Sequence, residues 1–300
     1  MDMLILSHVH KSFGSKTVID DLNLSVPENT VFGFIGQNGA GKTTTMKMVL
    51  GLCRPDDGDI YVNGIKVRYG QNDTNRCIGY LPDVPEFYSF MTPAEYLTLC
   101  GQITGMSTSD IKERTAELLE LVGLNKDNKR IKGFSRGMKQ RLGIAQALFN
   151  RPKLLICDEP TSALDPVGRK EILDILSEAK KQTTVVFSTH ILSDVERICD
   201  EIAFLNNGKI ALQGTLDEVK ALHNTSGFKM ELKNTADALH IRKAFGDCLT
   251  EGITGLAFPE ADDALLCRVM SFCASENIAP LKIEKNETTL ESLFMEVIGK

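Results

Sequence analysis

Apolar positions fall in short two-sided runs and in helical stripes over the first two thirds of the chain. Val31-Phe32-Gly33-Phe34-Ile35 is apolar on both sides of the pleat and predicts a buried strand. Leu154–Cys157 and Thr184–Phe187 have the same form. Strands apolar on both faces suit a sheet covered on both sides, and their alternation with helical patterns predicts an α/β fold. Asp57-Gly58 and Asn63-Gly64 flank 59–62, which predicts a short antiparallel strand there. Glu201–Leu205 and Lys209–Leu212, joined through Asn207-Gly208, predict a hairpin. Over 109–122, Ile111, Leu118, Leu119 and Val122 fall near one face of a helix that Gly123 ends.

From about residue 223 the pattern changes. The stretch 223–227 is small and polar and reads as a linker. Beyond it the periodicity predicts strand, helix, strand, helix, strand, helix. The last helix follows a capping box, Thr288 with Glu291, and carries Leu290, Leu293, Phe294 and Val297 on one face. Two domains are expected, 1–222 and a small α+β domain over 223–300.

Composition narrows the class. The chain is 42% hydrophobic and 25% charged, as ordinary globular proteins are. Its 34 basic against 40 acidic residues, a net charge of −6, argue against a nucleic-acid binder that works through a broad basic surface. No run of about 18 apolar residues is present to span a bilayer. Met1–Leu6 lacks the basic start of a signal peptide. The 8 cysteines form no paired Cys-x-x-Cys set for zinc, and a chain of this size needs no disulfide staples. A reducing cytosol is the expected compartment.

Two segments carry chemistry. Gly36-Gln37-Asn38-Gly39-Ala40-Gly41-Lys42-Thr43 fits G-x-x-x-x-G-K-[ST] between a strand and a helix. Such a loop curls several N–H groups around one anion, and the helix that follows, from Thr44 on, adds its positive end. Lys42 supplies a charge for the β- and γ-phosphates, and the Thr43 hydroxyl can ligate Mg²⁺. Downstream, Asp158 and Glu159 stand at the end of a buried strand, where ligands of open α/β sheets collect. Asp158 can hold Mg²⁺ through water, and Glu159 can orient or deprotonate an attacking water.

With these motifs in order, residues 1–220 resemble the nucleotide-binding subunit of an ATP-binding cassette (ABC) transporter. Phe134-Ser135-Arg136-Gly137-Met138-Lys139-Gln140-Arg141 occupies the family's signature position, Ser162-Ala163-Leu164-Asp165 its D-loop, and His190 its switch histidine. The resemblance implies a P-loop NTPase cassette with an antiparallel β subdomain and a helical subdomain at about 88–150. It implies that Ser135 and Gly137 contact the γ-phosphate held by the opposite subunit. His190 would steady the water with Glu159, and Phe13 would stack on adenine. Two features depart from the pattern: Asp83 stands where the family has a Gln that touches Mg²⁺, and the signature reads Phe134-Ser135-Arg136-Gly137-Met138 where the family has Leu-Ser-Gly-Gly-Gln.

The Arg136-Gly137-Met138 variant and the C-terminal tail resemble the drug and antibiotic export branch. The implied protein is an ATPase using ATP and Mg²⁺, paired with a second cassette. It would lie on the inner face of the cell membrane beside a separate permease, which 80–92 would face through Phe87, Tyr88 and Phe90. An importer subunit and a soluble, non-transport ATPase of the same class remain open. A chromosome-maintenance ATPase is disfavoured, because no heptad run separates Lys42 from Ser135.

Overall fold

A computed structural model describes residues 2–70, 73–125, 129–221, 227–246, 248–259, 261–285 and 289–299, with residues 296–299 described by backbone alone. Residues 223–226 of the expected linker, Thr288 of the expected capping box and the Val297 side chain lie outside the described residues. Close Cα approaches divide the chain between Leu216 and Asp217, and the second unit runs to Glu296.

The first unit opens with β1 (Asp2–Phe13), β2 (Lys16–Pro27), β3 (Val31–Gly36), α1 (Lys42–Val49), β4 (Asp57–Val62) and β5 (Ile65–Lys66). It continues through β6 (Ile78–Leu81), α2 (Pro93–Ile103), α3 (Thr108–Leu121), α4 (Arg136–Leu148) and β7 (Leu154–Asp158). It closes with α5 (Pro166–Ala179), β8 (Thr184–Thr189), α6 (Leu192–Ile198), β9 (Glu201–Asn206) and β10 (Lys209–Thr215). A six-stranded sheet has the order β10-β9-β3-β8-β7-β6, parallel except for β10. A four-stranded antiparallel sheet has the order β2-β1-β4-β5.

One core joins the two sheets. Phe32 and Phe34 of β3, Leu154 and Ile156 of β7, and Val186 of β8 pack with Val9, Ile19 and Leu22 of the small sheet and Met46 and Val49 of α1. Each ring or aliphatic group withdrawn this way contributes about 1.5–3 kcal/mol. At the sheet's β6 edge, a Cβ on Gly79 would stand 2.2 Å from the Ala147 carbonyl oxygen, so glycine is what lets α4 lie against the strand. Helix α2 starts at a Thr92/Glu95 capping box with Pro93 inside it, and α3 at a Ser107 cap.

The predicted strands are present, each extended by a residue or more. Strands β1 and β2 were not marked by alternation, and the reason is geometric. His8 (φ 49°) and Asp21 (φ 54°) adopt left-handed backbone inside the pair, and the register shifts between Leu6 and Val9. The bulge moves the buried phase from Leu4 and Leu6 to Val9, so no single period of two runs through the strand.

The second unit begins with α7 (Leu216–Ala221), counted from its second residue. Then come β11 (Gly227–Glu231), α8 (Thr235–Phe245), β12 (Leu249–Glu251), β13 (Gly255–Pro259), α9 (Asp263–Ser275), β14 (Lys282–Lys285) and α10 (Leu290–Gly299). Where one strand was expected between α8 and α9 there are two. Strand β12 is three residues long and exposed throughout, so it leaves no hydrophobic signal. The antiparallel order β12-β13-β11-β14 carries a core of Phe228, Met230, Ile241, Leu256, Phe258 and Val269, with the Phe228 and Phe258 rings stacked at 4.5 Å. The Ser292 N–H at the start of α10 donates to Thr289 Oγ1 at 3.2 Å.

Candidate functional site

Three parallel strands of the first unit end side by side. Ile35 of β3 pairs with Thr189 of β8, and Ser188 of β8 with Asp158 of β7. Whatever follows these strand ends shares one edge of the sheet. There the loop 36–43 turns into α1. Gly41 takes φ 115°, and a Cβ on it would fall 2.6 Å from Ile19 Cδ1, so only glycine fits the turn. The Ala40 N–H folds back to the Gln37 carbonyl at 3.1 Å. The first N–H groups of α1 have no intrahelical acceptor and face the cleft, which favours an anion.

Lys42 is 5% exposed. Its ammonium donates to the carbonyls of Gly36 (2.6 Å) and Gln37 (3.3 Å) and stands 3.1 Å from Glu159 Oε1. Asp158 is 4% exposed and uses both carboxylate oxygens: Thr43 Oγ1 donates to one at 2.8 Å and Ser188 Oγ to the other at 2.6 Å. Glu159 adopts a left-handed backbone (φ 49°), a strained setting for a non-glycine residue. Its N–H donates to Ser188 Oγ at 3.0 Å, which holds the turn. Its Oε2 is 2.9 Å from His190 Nδ1. Its Oε1 is buried and is held by the Lys42 ammonium as an ion pair rather than by an aligned hydrogen bond.

Lys42, Thr43, Asp158 and Glu159 line one cleft of about 290 Å³ together with Gln37–Gly39, Gly41, Thr44 and Asp83. Asp83 Oδ1 accepts from Ser162 Oγ at 2.6 Å and from Arg136 Nη2 at 3.4 Å. The phenol of Tyr80, beside the cleft on β6, is pushed up to about 12 by burial and then by the Asp158 charge, so it stays protonated and is no base. Burial, and next the neighbouring Asp158, push the Cys157 thiol up as well.

A family profile described as "ABC transporter" matches residues 19–162. The "Uncharacterized ABC transporter ATP-binding protein YxlF" of Bacillus subtilis (strain 168) is 39% identical over 99% of both chains. The "Bacitracin transport ATP-binding protein BcrA" of Bacillus licheniformis is 35% identical over 96% of this chain and 95% of its own. The chain is an ABC transporter ATP-binding subunit. Among solved structures, the ATP-binding cassette MJ0796, a dimer in a post-hydrolysis state bound to ADP and Pi, superimposes with a TM-score of 0.61 at 27% identity, over 71% of this chain and 99% of that one. The chain is thus a cassette that binds ATP and hydrolyses it, and the fold is the P-loop α/β cassette.

Within one cassette the expected residues separate into two sets. Gln37–Gly39, Gly41–Thr44, Asp83, Asp158 and Glu159 line the cleft, with Gly36 attached through Lys42 and His190 through Glu159, while Ala40 is outside the lining. Phe13, Ser135 and Gly137 stand outside it. Phe13 ends β1 with its ring 54% exposed, and the Lys11 ammonium sits 5.2 Å from one face. Ser135 is exposed and caps α4 by accepting from the Met138 N–H at 3.2 Å. A Cβ on Gly137 would come within 3.9 Å of Leu164 of the D-loop.

Sequence reasoning missed the supports. Ser188 braces both Asp158 and Glu159. Thr161, just after Glu159, donates to Asp194 Oδ2 at 2.6 Å, and Arg169 donates to Asp194 Oδ1 at 2.5 Å. Asp194 is 2% exposed and lies in the first turn of α6, just past His190. The run Thr189-His190-Ile191-Leu192-Ser193-Asp194 offers no spacing that would pair it with Thr161. Asp194→Ala leaves a buried hydroxyl and a guanidinium without their acceptor and lowers stability by about 2–4 kcal/mol. In a thermal melt the midpoint falls by several degrees; an unchanged midpoint contradicts the structural weight given to Asp194. The thiols supply a second check. Cys267 is exposed whereas Cys157 is fully buried, so iodoacetamide labels Cys267 and spares Cys157 until the protein is denatured, as peptide mass mapping reports. Early labelling of Cys157 contradicts the packing of β7.

Proposed function

We propose that this ATPase powers export of a drug or antibiotic through a separate membrane-embedded permease, and that it works as a pair of copies closing on ATP. The observation that carries the export reading is the similarity to the bacitracin transport protein along nearly the whole length of both chains, C-terminal unit included. Among the described residues no helix is long and apolar enough to cross a membrane, so the path for the substrate belongs to another chain. The cassette then sits against the inner face of the membrane. Val84, Tyr88 and Phe90, each more than half exposed beside the Phe87–Tyr96 ring pair, offer the permease an apolar contact.

In the site, the N–H groups that open α1 and the Lys42 ammonium bind the β- and γ-phosphates. Lys42 exchanges two carbonyls and the Glu159 carboxylate for phosphate oxygens. That exchange frees Glu159 Oε1 to take the proton of the attacking water, while His190 holds Oε2 and so fixes the carboxylate. Thr43, Asp158 through water, and Asp83 present only hard oxygen donors, a set that fits Mg²⁺, and the bound ion would neutralise phosphate charge. Ser135, exposed in one copy, and the half-buried Gly137 beside it meet the γ-phosphate of the other, while Phe13 offers its open face to adenine. The second unit is an accessory domain.

Phosphate release by the purified protein tests the ATPase part: turnover requires Mg²⁺ and stops in EDTA, and turnover in EDTA contradicts the metal assignment. Deleting the gene tests export. The deletion strain becomes more sensitive to bacitracin or to a lantibiotic, whereas unchanged sensitivity to both, with the permease expressed, contradicts the export reading.

A further inference from the structure

Asp83 and Arg136 are two of the positions where the chain departs from the family's pattern, and they touch. They are 53 residues apart in sequence. Arg136 Nη2 donates to Asp83 Oδ1 and to Ser162 Oγ, both at 3.4 Å, and Ser162 Oγ donates to the same Asp83 oxygen at 2.6 Å. One turn along α4, the fully buried Gln140 donates through Nε2 to the Asp83 carbonyl at 2.7 Å. Three segments, the loop after β6, the start of α4 and the D-loop, thus meet at one residue.

The charge pattern of α4 explains why an acid belongs there. A helix N-terminus favours anions and disfavours cations. The first turn of α4 holds no acidic residue, yet it carries Arg136 and Lys139. Asp83 supplies from another loop the anion that this helix lacks. A Gln at that position could accept a hydrogen bond but could not offset the guanidinium.

We propose that Arg136 is a positioning residue. Through Asp83 and Ser162 it sets the first turn of α4, and with it Ser135 and Gly137, against the nucleotide cleft of its own copy. Asp83 and Arg136 then form one device, an acid–base pair that aims the signature at the nucleotide of the second copy. The proposal rests on the dimer reading given above. Both side chains are about half exposed, so the pair is worth no more than other surface ion pairs and its effect is modest.

The test is a double-mutant cycle on the ATP-dependent dimer, measured by analytical ultracentrifugation with ATP and Mg²⁺ in a Glu159→Gln background. Arg136→Met weakens the dimer by about fivefold, and Asp83→Asn by at least as much, since it also alters the Mg²⁺ donor assigned above. The double variant is no weaker than the worse single one, because both remove the same contact. Arg136→Lys stays within about twofold of the parent, and ATP affinity of single Arg136→Met subunits, measured at concentrations too low to dimerise, is unchanged. Costs that add in the double variant overturn the proposal, since Arg136 and Asp83 would then act separately. So does loss of single-subunit ATP affinity in Arg136→Met. A parent that forms no dimer overturns the dimer reading and this proposal together; a dimer with additive costs overturns this proposal alone.

Discussion

Glu159→Gln keeps ATP binding and lowers turnover by about a thousandfold, the range expected when a positioned base is lost. The substitution preserves volume and leaves the Ser188 bonds to the backbone N–H in place. It removes the charge that lies 3.1 Å from Lys42 and 2.9 Å from His190. A neutral amide cannot take a proton from water, so the barrier rises by about 4 kcal/mol while the ground-state contacts of the phosphates stay. Phosphate release and equilibrium nucleotide binding, measured on one preparation, separate the two effects. Turnover within tenfold of the parent would remove Glu159 from its role; loss of binding would make it a structural residue.

Lys42→Ala has the second large effect. The ammonium is held inside the loop that would surround the phosphates, and among the described residues no other cation lines the cleft. Removing it takes away a charge-assisted contact to a doubly engaged phosphate pair, and ATP affinity falls by about a hundredfold. The protein remains folded, because Gly36 and Gln37 lose only a donor and Glu159 gains access to water through the open cleft. Calorimetry at neutral pH reads the affinity and circular dichroism reads the fold. Undiminished affinity would place the triphosphate elsewhere.

How much of this was readable beforehand depended on chain distance. The phosphate loop was legible because its glycines, Lys42 and Thr43 are contiguous and lie between a buried strand and a helix. Asp158 and Glu159 were legible from the apolar run that delivers them to a strand end. Ser188 was not, since a serine closing Val185-Val186-Phe187 looks like any strand end until the parallel register sets it beside Asp158. The partners of Asp83 and Arg136 were not legible either: each reads alone as an odd substitution, and only packing of α4 against the β6 edge brings them together. In the fold, β1 and β2 were hidden by the bulge at His8 and Asp21, and β12 by its length and exposure. Apart from β12, the loss has one cause in these cases. Period and motif encode contacts within a segment, whereas bulges, braces and clamps are contacts between segments.

The central claim is that ATP is clasped by two copies of this chain, with Ser135 and Gly137 of one closing over the phosphate loop of the other. Static light scattering on Glu159→Gln, with and without ATP and Mg²⁺, tests it most directly. The account predicts a mass of twice the 33.1 kDa chain with nucleotide and a single chain without it. A single chain under both conditions, at micromolar protein and saturating ATP, contradicts it.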